Sequence, residues 1–199
     1  MQVRVITVTG ATDIDAGVDL IRDQVLPIVA TQQGYRGTTV SADRANGLLG
    51  IITMWDTVED RDASNDALAQ SRIDVANAVG GSFTVANFEQ AVLEAVGMPA
   101  VGSALSVARL SMSPENVDGN IAYFQSTPLP DMLATPGVLA VRMMVNRETG
   151  DAIVGMVFAD HDALSTAAGA ATSRREAATA RGIQFGDVSI REILLIDVR

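Results

Sequence analysis

The side chains able to do chemistry in this chain are few and scattered. His161 is the only histidine, and so the only side chain whose ordinary range suits general-base work near neutral pH. It stands in Ala159-Asp160-His161-Asp162, at an expected helix start, and the matching place in the first half holds Val58. A solvated histidine in a capping region is the simpler reading. Asp160, His161 and Asp162 could touch an adventitious metal, but no metal site is expected. One histidine and no cysteine do not supply the usual zinc donor set. The lack of cysteine also removes thiolate nucleophiles. All fourteen basic residues are arginine, and without lysine there is no Schiff-base chemistry. What remains binds rather than reacts. Asn65 and Arg72 are seven residues apart, two turns on one side of an expected helix. Trp55 could stack on a flat aromatic molecule, or simply fill the core at a strand end. Phe158 at the equivalent place favours filling, since a filler does not need the indole N–H. Tyr35 completes the candidate ligand contacts Trp55, Asn65, Arg72 and Tyr35, with Tyr123 as a further hydroxyl. No catalytic residue is assigned and no cofactor is expected.

The elements that must hold these residues come in two copies. Leu-Pro, six residues, Gly, nine residues, Arg, two residues, Gly occurs as Leu26, Pro27, Gly34, Arg44, Gly47 and again as Leu129, Pro130, Gly137, Arg147, Gly150. The same offset of 103 residues pairs Trp55 with Phe158, Arg72 with Arg175, Val85 with Val188 and Glu89 with Glu192. Self-similarity at a fixed period marks a duplicated structural unit. Arg44 and Arg147 each fall in a hairpin turn, where a structural salt bridge is the simpler account.

Each copy reads as β-α-β-β-α-β. In the first, Val3 to Val8 is a β-branched strand and Ala16 to Gln33 has helical apolar spacing. Pro27 should kink or break that helix and Gly34 should end it. Tyr35 to Ser41 and Leu48 to Trp55 flank the Asn46-Gly47 turn. A helix capped by Asp56 or Thr57 runs to about Ala78, and Phe83 to Val96 closes the unit. The second copy repeats the order, with Ser113-Pro114-Glu115 starting its first helix. Its second helix holds Ala168 and Arg175 at the places of Asn65 and Arg72, and is rich in small residues. The expected fold class is α+β: two tandem ferredoxin-like units, residues 1–97 and 104–199, joined by a linker at 98–103. Their sheets should pack face to face as a pseudo-dimeric α+β barrel, each covering the other's apolar face.

Composition narrows the partners. The net charge of −10 repels phosphate backbones, so nucleic acid is not expected. No apolar run approaches the roughly 20 residues that span a bilayer, and the first residues lack the pattern of a signal peptide. A cytoplasmic protein without a membrane partner is the expectation, either a monomer acting as a pseudo-dimer or a further homodimer.

The order resembles the dimeric α+β barrel superfamily, and within it the antibiotic-biosynthesis-monooxygenase-like group. Three features carry the resemblance: the element order, Gly34-Tyr35-Arg36-Gly37 leading into the second strand, and the third strand ending Thr53-Met54-Trp55-Asp56 before an acidic helix start. It implies either a cofactor-independent monooxygenase acting on an aromatic or quinol-type substrate, or a non-catalytic binding or assembly module. The group's haem-degrading members are a poorer match. They use an Asn near the first strand and a Trp and a His on the second helix, whereas this second helix holds Ser64, Asn65, Asp66, Ser71, Arg72 and Asp74. The ligand reading implies a small apolar or aromatic ligand, and a cavity of about 300 Å³ or more beside Asn65 and Arg72.

Overall fold

The computed structural model of the chain describes residues 1–167, 169 and 171–199. The chain divides into two compact units. The first comprises Met1–Asn87 with Glu192–Arg199, the second Phe88–Arg191. Sequence repeat and compact unit therefore differ by an exchange of strand halves. Each repeat ends in a long strand, β4 (Ser82–Ala95) or β8 (Gln184–Val198), whose last residues belong to the other unit.

In the first unit, β1 (Gln2–Thr9) pairs antiparallel with β3 (Leu48–Trp55), β3 with β2 (Tyr35–Asp43), and β2 with the final residues of β8. α1 (Ile14–Leu20) is capped by Asp13, which accepts from the Ala16 N–H at 3.0 Å. The helix then widens into a π turn over Ile21–Val25 before α2 (Leu26–Val29). Pro27 accounts for this. It has no N–H to donate and its ring crowds the preceding turn, so the sequence expectation of a kink is realised as a π turn. That turn brings Ile21 into the core, at 1 % exposure. The expected single second helix is also interrupted, into α3 (Val58–Ala67) and α4 (Ala69–Val79) at Leu68. Thr57 caps α3 by accepting from the Asp60 N–H, and Gly80 ends α4 in the left-handed conformation. Ile6, Val8, Leu49 and Ile51 from the sheet meet Val18, Ile21, Val75 and Val79 from the helices.

In the second unit, β5 (Ala104–Ser111) pairs with β7 (Asp151–Phe158), β7 with β6 (Val138–Val145), and β6 with Glu89–Ala95 of β4. A 3₁₀ turn over Pro114–Asn116 opens α5 (Val117–Ser126), which breaks at Thr127 before α6 (Pro128–Leu133). Ser113 does not cap that turn through its side chain; its hydroxyl donates to the Glu115 carboxylate instead. α7 (His161–Ala167) and α8 (Ala171–Thr179) follow β7. Among the described residues, no helix is long and apolar enough to cross a membrane.

The repeated residues now have physical roles. Arg44 pairs with Asp15 at 2.6 Å. Its repeat mate Arg147 pairs with Asp118 at 2.5 Å and with Glu89 at 2.6 Å. Glu192, the repeat mate of Glu89, lies close enough to Arg44 to favour its charged form. So the repeated acid near the middle of each long strand serves the hairpin arginine of the unit that the strand enters. The two motifs that carried the resemblance also meet. Arg36 grips Asp56 through two 2.6 Å bonds, and the Tyr35 and Trp55 rings form a T-shaped pair at 5.7 Å.

Hydrogen bonds from Arg44, Arg36 and Arg61 hold the carboxyls of Asp15, Asp56 and Asp62 below the ordinary aspartate value of 3.8. Folded values below unfolded ones give stability that is complete above the ordinary value and lost as pH falls through the folded ones. Stability should therefore be flat from neutral pH down to about pH 5 and fall below pH 4. Arg36→Met together with Arg44→Met should move the acid midpoint upward. Circular dichroism during acid titration reads this directly, and an unmoved midpoint would remove these pairs from the account.

Candidate functional site

Each unit has a cavity between its sheet and its helices, and strand register shows that the two are equivalent. In the first unit, Arg4, Thr53 and Thr38 lie side by side across β1, β3 and β2. Behind them come Ile6, Ile51 and Val40, then Val8, Leu49 and Ala42. In the second unit the same rows read Ser106, Met156, Val141, then Ala108, Val154, Met143, then Leu110, Ala152, Val145. Arg4 thus corresponds to Ser106, one residue off the repeat offset. The first cavity is about 40 Å³ and the second about 110 Å³. The space beside Arg72 is therefore much smaller than the ligand reading implied, and the larger cavity lies in the second unit, where Tyr123, the further hydroxyl named from the sequence, lines it.

The first cavity is polar at one end. Arg4 is 3 % exposed, though it carries a full charge. Its Nη1 donates to Ser64 Oγ at 3.0 Å and its Nη2 to the Arg61 carbonyl at 2.7 Å. Asp62, itself exposed, stands 3.8 Å away and is engaged more closely by Arg61. Arg72, on α4, donates through Nη2 to the Asn65 carbonyl and side chain at 3.0 and 2.9 Å, which ties α4 back to the end of α3. Arg4 Nε and Arg72 Nη1 are buried without a hydrogen-bond partner among the described residues. Burial and the neighbouring Arg72 and Arg61 charges push the Arg4 pKa below its ordinary value, against a smaller opposite effect of Asp62. Burial likewise lowers that of Arg72.

The four candidate ligand contacts fall into two touching pairs, Tyr35 with Trp55 and Asn65 with Arg72. Arg72 lines the first cavity. Asn65 is exposed and serves Arg72. Trp55 is fully buried among Val29, Tyr35 and Leu68, with its indole N–H donating to Thr53 Oγ1 at 3.0 Å. Tyr35 is buried and donates to Asp197 at 2.8 Å; burial raises its pKa well above the phenol range. His161 is exposed at the start of α7. Ala168 lies outside the described residues. Sequence reasoning passed over Arg4, although a signal was present. Ile6 and Val8 alternate with it, and two apolar residues at that spacing place Arg4 on the core face of its strand.

The second cavity is lined by Ala108, Asn120, Phe124, Met132, Met143 and Met156, among others, with Tyr123, Arg174 and Arg175 also on its wall. Methionines suit a pocket that adapts to its contents. Asn120 is 3 % exposed and donates to Met112 Sδ at 3.4 Å. Arg181 lies over the Tyr123 ring at 4.2 Å and Arg175 over Phe185 at 5.9 Å, so two of the three aromatic residues on the wall carry a cation.

The chain is 28% identical over 169 residues to the uncharacterised protein Rv2557 of Mycobacterium tuberculosis, covering 82% of this chain and 75% of that one. Among solved structures, a provisionally assigned monooxygenase of Fusobacterium nucleatum superposes with a TM-score of 0.70 at 13% identity, over 100% of this chain and 94% of that one. An anthrone oxidase-like protein gives 0.70 at 13% identity, over 99% and 93%. The fold is that of the monooxygenase-like α+β proteins. The tandem α+β arrangement inferred from the repeat is thus the fold of the chain. No family model matches the sequence.

Proposed function

We propose that this protein binds a small aromatic, quinol-type molecule in the cavity of its second unit and acts on it as a cofactor-independent monooxygenase. The observation that carries this reading is the cavity of about 110 Å³, walled by methionines and aliphatic side chains with cations over two of its aromatic residues. An apolar cavity of about 150 Å³ holds benzene, so this one suits about one ring, not a polycycle. The fold shared with an anthrone oxidase-like protein supports the choice of substrate class. The chemistry would be the substrate's own. The ring methylene of the quinol's keto tautomer would lose a proton to solvent, and the carbanion left would add O₂. The resulting hydroperoxide then loses water to leave a carbonyl. The protein would supply a dry cavity and the Arg174 and Arg175 charges, which favour the deprotonated substrate.

A non-catalytic binding module is the second reading. It is favoured by the absence of any histidine or carboxylate on the cavity wall among the described residues. Ala108→Leu separates the outcomes, because it fills the cavity from the sheet side. Oxygen consumption with one-ring quinols should exceed the uncatalysed rate and vanish in Ala108→Leu. Saturable binding of the quinol without oxygen consumption would establish the binding module instead. Neither binding nor consumption would end both readings.

A further inference from the structure

The first cavity has a chemistry that the second lacks, and it points to a different ligand. Its polar row is Arg4, Thr53 and Thr38. Tyr35 donates to Asp197, so the Thr38 hydroxyl, 2.7 Å from Tyr35 Oη, is left to donate to that oxygen. Thr53 differs. Its oxygen accepts from the Trp55 indole, which leaves its own O–H free to donate. At this end of the cavity there are therefore three donors with nothing to donate to among the described residues: Arg4 Nε, Arg72 Nη1 and the Thr53 hydroxyl. Two of them carry positive charge in a buried setting. A buried guanidinium normally finds an anion or a full set of acceptors. Of the neighbouring carboxylates, Asp62 is committed to Arg61 and Asp197 to Tyr35 and Arg199, while Asp66 acts on Arg72 through its charge without forming an ion pair with it.

From this row the cavity turns apolar. Ile6 and Ile51 come next along the strands, then Val8, faced by Val75 from α4 and by Ile21 and Val25 from the π turn. A ligand matching both ends has one compact negative charge and a short aliphatic tail. A planar carboxylate also matches the paired geometry of a guanidinium. The space, about 40 Å³, is a few waters' worth, which limits the ligand to a small acid. The polar row is replaced in the second unit by Ser106, Met156 and Val141, so only the first unit has this character. We infer that the first unit is a binding site for a short-chain aliphatic monocarboxylate, its carboxylate held by Arg4, Arg72 and Thr53 and its tail lying against Ile6, Ile51 and Val75. This site does not depend on the oxygenase reading of the other cavity.

The probes are sodium acetate and propanoate against ethanol, propanol and sodium nitrate, titrated into the intact chain. Binding is followed by methyl NMR shifts and by the thermal midpoint. The carboxylates should shift the methyls of Ile6, Ile51 and Val75 saturably while leaving Val154 of the second cavity in place, and should raise the midpoint in step with occupancy. The alcohols should bind at least tenfold more weakly. Arg72→Met and Thr53→Val should each weaken carboxylate binding, the first by tenfold or more. Arg4→Met tests the same point where it folds; the Arg72 and Thr53 variants decide it where Arg4→Met does not. No saturable shift up to 20 mM carboxylate (roughly tenfold above a weak millimolar Kd) overturns the inference. So does undiminished binding to Arg72→Met. Nitrate binding as tightly as propanoate would refute the tail contacts, and shifts confined to Val154 would refute the location.

Discussion

Trp55→Ala is expected to destabilise the fold by about 3–5 kcal/mol, the usual range for removing a large aromatic side chain from a core. Trp55 is fully buried, packs with Val29, Tyr35 and Leu68, and satisfies its indole N–H on Thr53. Its loss would leave a void at the end of β3, where the Tyr35 ring would lose its edge-to-face partner. Trp55→Phe keeps most of the buried area and should cost about 1–2 kcal/mol, chiefly through the missing indole and its hydrogen bond. Urea unfolding of the two variants gives the comparison. If Trp55 instead stacked on a ligand from an exposed position, the alanine variant would keep its urea midpoint and lose only ligand affinity. The distinction matters for any test of catalysis, because a lost activity in Trp55→Ala would report unfolding.

Gly150→Ala should cost about 3 kcal/mol or more, for two additive reasons. The residue has φ +76°, in the left-handed region, which costs a side-chain-bearing residue roughly 1–2 kcal/mol. A Cβ there would also collide with the backbone carbonyl of Met112, and a backbone atom cannot step aside as a flexible side chain can. The close approach has a purpose. The Gly150 carbonyl accepts from the Met112 N–H at 3.0 Å, which fixes the end of β5 against the hairpin. Gly47, its repeat mate, accepts from the Ala11 N–H at 2.9 Å in the same way. Gly102→Ala is the control. Gly102 has φ +90° with nothing within 4 Å of the added Cβ, so only the conformational penalty should appear. Equal losses at Gly150 and Gly102 would show that the contact with Met112 contributes nothing.

These two residues also show what the amino-acid sequence could reveal. Trp55 and Phe158 at one offset read as fillers, and burial bears that out for both. The glycines of the repeat read as turns, and their positive φ angles agree. Strand alternation and helix caps are local properties, each set by a few neighbouring residues, and so the β-α-β-β-α-β order was legible along the chain. Local pattern also indicated that Pro27 would disturb its helix, though the form of the disturbance, a π turn, depends on what the widened turn packs against.

The cavities were another matter. Arg72 was singled out from its spacing with Asn65, but that spacing proved to be a tie between α3 and α4. The partner that gives Arg72 chemical meaning is Arg4, 68 residues away on the first strand, and no local pattern joins them. The same holds for Glu89. It reads as a repeated acid inside the last strand of its own repeat, yet it pairs with Arg147 because the last part of β4 belongs to the second unit. By itself the sequence determined that there are two copies, what elements each contains, and where each turns. Only tertiary structure decided that equivalent cavities in the two units differ, one small with arginine and threonine on its sheet row, the other larger and walled mainly by methionines and aliphatic side chains. The physical reason is that a cavity's character is set by side chains meeting across strands and helices far apart in the chain, and here the whole row Arg4, Thr53 and Thr38 is exchanged for Ser106, Met156 and Val141.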